Sequence, residues 1–115
     1  MPRSATVRFA RTAFAFAAAA MTLISCSPPP LSDAAARGRI VFMESSQPKC
    51  ALCHELAHAG SLKGLGPNMD VLRPSRQQTI TSVTQGVGIM PSQKGILTKQ
   101  QIEDVAEYLA EVAGR

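Results

Sequence analysis

The sequence predicts an all-helical domain of about four helices, on three observations. Apolar residues recur at helical spacing near both ends of the folded part, two capping boxes open helices, and no alternating strand pattern or repeat occurs. The chain has 115 residues, enough for one domain.

The first segment does not read as folded protein. Arg3, Arg8 and Arg11 stand in residues 1–11 without an acid, and the run from Thr12 to Ser25 is apolar or small and uncharged. A basic start before a short apolar run is a secretory leader, and this run falls short of the roughly 20 apolar residues of a membrane span. It ends at Leu23-Ile24-Ser25-Cys26, which resembles a bacterial lipoprotein signal. Residues 1–25 are then a signal peptide, and Cys26 is the lipidated first residue of the mature chain. Several acyl chains on one residue would hold the protein to a membrane firmly, where a single chain binds only marginally. Without the lipid, the product would be soluble in the periplasm.

Removing residues 1–25 changes the charge argument. The whole chain carries 12 Lys and Arg against 8 Asp and Glu, a net +4. Three of the basic residues and none of the acids lie in the leader, so the mature part has nine against eight, a net +1. No basic cluster survives, which excludes a nucleic-acid role. Phe42 and Tyr108 are the only aromatic residues after the leader, so a chain this small needs another source of core bulk. An apolar cofactor would supply it.

Residues 26–33, with Pro28-Pro29-Pro30, read as an extended tether. Ser32 or Asp33 caps a first helix carrying Ala34, Gly38, Val41 and Phe42, which Gln47-Pro48 ends. A short helix is expected from Cys50 to Gly60, then a Gly- and Pro-rich loop to Pro74. Ser75 and Gln78 form a capping box for a helix to about Gln85. Gly86 to Ser92 is loop. Thr98 and Gln101 form the second box, and the last helix runs to Ala113 with Ile102, Val105, Ala106, Leu109 and Val112 on its apolar face. The folded domain is residues 34–115.

Cys50-Ala51-Leu52-Cys53-His54 carries the chemistry. Cys-x-x-Cys-His is the attachment signal for haem c. Cysteines three apart on a helix face one side, where their sulfurs reach two vinyl groups of one porphyrin. His54 follows directly and supplies the proximal iron ligand. A thiol–disulfide site would usually accompany a βαβ pattern, and zinc would need further Cys or His ligands. Neither pattern is in the sequence.

Met43, His58, Met69 and Met90 compete for the sixth iron position. His58 follows His54 by four and would share its helix face. Met43 belongs to the first helix, and Met69 is expected to pack as core. Met90 stands in a loop with Gly86, Gly88 and Pro91; the glycines permit close backbone approach, and Pro91 favours extended backbone at Met90. Met90 is the expected distal ligand. If it does not bind, the protein is an open-haem sensor or enzyme.

Over roughly residues 34–113 the sequence resembles class I cytochromes c. Gly38 and Phe42 resemble the small and aromatic residues of that family's first helix, Val105 and Tyr108 their partners on the last. Pro67 resembles the proline whose carbonyl accepts a hydrogen bond from the proximal histidine, and Met90-Pro91 the distal methionine segment. The resemblance implies an extracytoplasmic electron carrier with one covalent haem c, no catalysis of its own, and protein redox partners such as a terminal oxidase. A narrower set is similar to the cytochrome subunit of bacterial sulfite dehydrogenases: Lys49 to His54, Leu56, Ala59-Gly60, Gly66-Pro67, Asp70, Leu72, Pro74 and Met90-Pro91-Ser92. Met69 stands where that pattern usually has an aliphatic residue, and a lipid anchor is not part of it. This likeness implies a molybdenum oxidoreductase subunit as partner. Lys49, Lys63 and Lys94 lie near the haem motif or the Met90 loop in sequence and would ring an exposed haem edge for an acidic partner, or serve only as solvated surface.

Overall fold

Ser32 opens the first helix with its side chain, Oγ accepting from the Ala35 N–H. The computed structural model describes Met1, residues 26–62 and residues 64–115; the leader from Pro2 to Ser25 and Lys63 lie outside the described residues. Helix α1 spans Asp33–Ile40 and continues as a π-helical turn over Val41–Ser45. Two 3₁₀ turns follow, Cys50–Leu52 and Ala57–Ala59, then α2 (Met69–Leu72), α3 (Arg76–Gln85) and α4 (Lys99–Val112). Among the described residues there are isolated β-bridges but no strands. The all-helical expectation holds.

Both capping boxes form as expected: Ser75 with Gln78 at α3, and Thr98 with Gln101 at α4. All five apolar residues expected on the face of α4 are buried, and Tyr108 is buried with them. On α1 the buried face is Ala35 and Gly38, continued by Val41 and Phe42, while Ala34 is only half-buried.

Two expectations need correction. Residues 50–60 are not one helix. Leu56 is extended and bridges Ser61, the Ser61 hydroxyl donates to the His54 carbonyl at 2.7 Å, and the Met69 N–H takes the Glu55 carbonyl at 2.9 Å. These long-range partners occupy groups that a continuous helix would need. Residues 60–74 are not all loop. Asn68 accepts from the N–H groups of Asp70 and Val71 and so nucleates the one-turn α2.

Helices α1 and α4 cross at Gly38. A Cβ there would lie 2.0 Å from the Asp104 carbonyl oxygen and 2.7 Å from the Tyr108 Cβ. The ring of Phe42 meets Tyr108 edge-on, centroids 6.0 Å apart. Arg37 clamps the crossing with a two-pronged ion pair to Asp104, 2.8 and 2.9 Å, and this hydrogen bonding holds the Asp104 carboxyl below its ordinary pKa. Ser32 donates twice to the Glu111 carboxylate near the same crossing. Gly38→Ala must therefore push the helices apart. It is expected to cost about 3 kcal/mol or more. At this size that lowers Tm by roughly 10–20 °C. Thermal melting of the holoprotein checks it; an unchanged Tm would mean that the crossing is not tight.

Candidate haem site

One cavity of about 470 Å³ opens beside the α1–α4 crossing, within the usual range for cofactor sites. Phe42, Met69, Val83, Val105 and Leu109 supply its apolar depth; Leu65, Leu72, Val87 and Ile89 stand exposed around it. Cys50, Cys53, His54, Pro67 and Met90, all singled out in the sequence, line this same cavity. Cys26 lies apart, exposed in residues 26–30, which form no regular element.

The two cysteines sit on a 3₁₀ turn fixed from below. Ser46 is fully buried; its Oγ accepts the Cys50 N–H at 2.9 Å and lies 3.2 Å from the Cys50 Sγ. Burial pushes the Cys50 thiol above its ordinary pKa, against the smaller opposing effect of the Ser46 hydrogen bond. Both thiols are free, so neither is consumed by a disulfide.

The His54 ring is oriented through one nitrogen. Its Nδ1 is 2.9 Å from the Pro67 carbonyl oxygen. A carbonyl can only accept, so Nδ1 carries the proton and the Nε2 lone pair is left free. The backbone supports this contact: the Gly66 N–H donates to the Cys53 carbonyl at 2.9 Å. Gly66 is required there, since a Cβ would fall 2.6 Å from the imidazole Cε1.

The Met90 loop is folded tightly on itself. Val87 and Met90 exchange backbone hydrogen bonds of 3.1 and 2.9 Å. Gly86 adopts φ +76, and a Cβ there would lie 2.7 Å from the Met90 carbonyl oxygen. Its freedom lets the loop's own backbone approach closely. Gly88 has φ +56 and open space around it.

The remaining candidates lie elsewhere or play other parts. Met69 is buried in the core and lines the cavity. Met43 is half-buried in the π turn. His58 places Nδ1 2.9 Å from the Tyr108 hydroxyl, in a 3₁₀ turn separate from that of the cysteines. Lys49 lines the cavity, while Lys94 is exposed beside a smaller pocket against Ile80 and Leu97.

Residue types and spacing pointed to neither Ser46 nor Gln93, yet both are buried and hydrogen-bonded around the site. Asp70 also carries more than its sequence pattern suggested. Its carboxylate accepts from the N–H groups of Ala57 and Gly114, which holds its pKa below the ordinary value. The residues fit a flat apolar group: two free thiols on one turn, an imidazole with one nitrogen left free, and a mostly apolar wall.

Comparisons with known proteins agree. A family model described as cytochrome c oxidase, cbb3-type, subunit III, matches residues 33–109. A cytochrome c6 of Rippkaea orientalis (strain PCC 8801 / RF-1) is 34% identical over 94 residues, covering 75% of this chain and 78% of the relative. The crystal structure of the c-type cytochrome SorU from Sinorhizobium meliloti superposes with a TM-score of 0.70 at 48% identity, covering 72% of this chain and 94% of that one. With its helical fold, its haem-attachment motif and these relatives, the chain belongs to the class I c-type cytochromes, electron-transfer proteins that carry a covalently bound haem c.

Proposed function

We propose that this cytochrome carries single electrons between protein partners outside the cytoplasm, with haem held by Cys50 and Cys53 and with His54 and Met90 as axial ligands. The observation that carries the reading is the 2.9 Å contact of His54 Nδ1 with the Pro67 carbonyl, made in a cavity that Met90 also lines. When bound, the haem supplies a reversible ferric–ferrous couple. The chain's own part is to keep that couple fast and at a defined potential. Pro67 fixes the His54 ring and raises its basicity as a ligand. The apolar wall limits water and favours the less charged state. Cys50 and Cys53 bind the group permanently, so it is not lost between partners.

For the partner, the sulfite-dehydrogenase-like residues favour a molybdenum oxidoreductase as donor, with a terminal oxidase as a further candidate acceptor. Met69, at the position where that pattern has an aliphatic residue, is buried in the core as an aliphatic would be. Purified holoprotein is expected to be reduced by sulfite only when a bacterial molybdenum sulfite dehydrogenase is present. If dithionite reduces it and that pair does not, the sulfite partner is wrong and the general carrier stands.

The domains proposed are residues 1–25 as lipoprotein signal, 26–33 as tether and 34–115 as cytochrome. Among the described residues no helix is long and apolar enough to cross a membrane. Lipid on Cys26 would provide the anchor. Cys26→Ala is expected to move the protein from the membrane fraction to the soluble extracytoplasmic fraction, with its haem spectrum intact. A wild type already wholly soluble after export contradicts the anchor.

A further inference from the structure

Gln93 is 3% exposed, and its four polar atoms are all engaged. Its main-chain N–H donates to the Val83 carbonyl at 2.9 Å, and its carbonyl accepts from Ile96 and Leu97, both at 3.0 Å. Those bonds belong to the turn between α3 and α4. The side chain does something different. Its Oε1 accepts the Gln47 N–H at 2.9 Å, and its Nε2 donates to the Gln47 carbonyl at 2.8 Å. The amide thus pairs with one backbone residue as a neighbouring strand would, across 46 positions of sequence.

The two ends of this pairing border the two sides of the site. Gln47 directly follows Ser46, which holds Cys50. Gln93 stands three residues after Met90 and itself lines the cavity. Elsewhere the loop is tied to α3, through the Gln93 N–H and through the Ser92 hydroxyl on the Thr84 carbonyl. The Gln93 amide alone, among the side-chain hydrogen bonds of the described residues, ties residues 86–97 to the cysteine-bearing segment.

We propose that Gln93 is the positioning residue that keeps the Met90 loop closed over the haem, by clamping it to the backbone at Gln47. The inference rests on the reading of Met90 as distal ligand. Without the clamp, the loop remains attached to α3 but can swing away from the cysteine side. Met90 then dissociates more often, and an added ligand competes better for the iron. A residue that only filled space would be replaceable by an apolar side chain of like size; a clamp would not.

The test uses the ferric holoprotein, with free imidazole as the competing ligand and the long-wavelength absorption band of methionine–iron coordination as the second readout. Gln93→Leu keeps the bulk and removes both hydrogen bonds. It is expected to bind imidazole about tenfold more tightly than wild type, toward the lower end of what two lost hydrogen bonds are worth, and to weaken the band. Gln93→Glu separates clamping from packing. Protonated, its carboxyl accepts from the Gln47 N–H and donates to the Gln47 carbonyl, as the amide does. Ionised, it has no proton to donate and faces that carbonyl with negative charge. Its band is therefore expected near wild-type strength at low pH and lost as pH rises and the carboxyl ionises, with no such loss in wild type over that range. Wild-type imidazole affinity and an intact band in Gln93→Leu would overturn the clamp. So would a Gln93→Glu band that follows the wild-type pH profile, which decides the matter even if the Leu variant does not fold. A wild type without the band would instead overturn the Met90 reading, and this inference with it.

Discussion

Replacing both Cys50 and Cys53 by Ala is expected to yield a chain with no haem that survives denaturing electrophoresis and with most of its helical circular dichroism lost. The reason is the composition of the core. Phe42 and Tyr108 are the only aromatic residues in the folded part, and they meet edge-on at the helix crossing. The cavity of about 470 Å³ beside them has a mostly apolar wall. Haem bound there would supply core bulk of the kind a domain this small needs. Each single variant is expected to keep one thioether and a weakened fold. A helical, cooperatively melting double variant without haem would show that the polypeptide carries its own core.

Met90→Ala is expected to change the iron more than the fold. The loop's turn is made by backbone, the Val87–Met90 hydrogen bonds and the Gly86 approach, so it does not depend on the thioether. On the proposed ligation, however, the iron would lose the ligand that Met90 supplies. Carbon monoxide should then bind the reduced protein, and the potential should fall by on the order of 0.1 V, within the roughly 0.8 V range that axial ligands command. Two controls separate this effect from packing. Met69→Ala is expected to cost about 2–5 kcal/mol of stability, because Met69 is buried, and to leave the ligand set unchanged. His58→Ala removes the hydrogen bond to Tyr108 and should barely alter the visible spectrum. A Met90→Ala spectrum identical to wild type would exclude Met90 as ligand.

The parts of the fold that the sequence made legible are those built from neighbours. The Ser75–Gln78 and Thr98–Gln101 boxes are three-residue patterns, and the α4 face is a periodic one; all formed where expected. The Cys50–His54 motif is equally local. The Gly38–Tyr108 crossing and the Pro67 contact were legible only through family resemblance, because each joins distant segments. What was missed depends on longer reach or on a single turn. The break between Cys53 and Ala57 is imposed by Ser61 and Met69. Helix α2 is four residues under one Asn68 cap, too short for any period to show. Gln93 has no pattern at all, since its partner is the backbone of Gln47 and a backbone carries no sequence signal.

On the proposed ligation the haem is closed on both faces, by His54 on one side and Met90 on the other. Mixing the dithionite-reduced wild-type protein with carbon monoxide at neutral pH tests it most directly. A spectrum that stays unchanged is the predicted result, with both axial positions filled. Prompt conversion to the carbon monoxide adduct would contradict it and make the protein an open-haem sensor or enzyme.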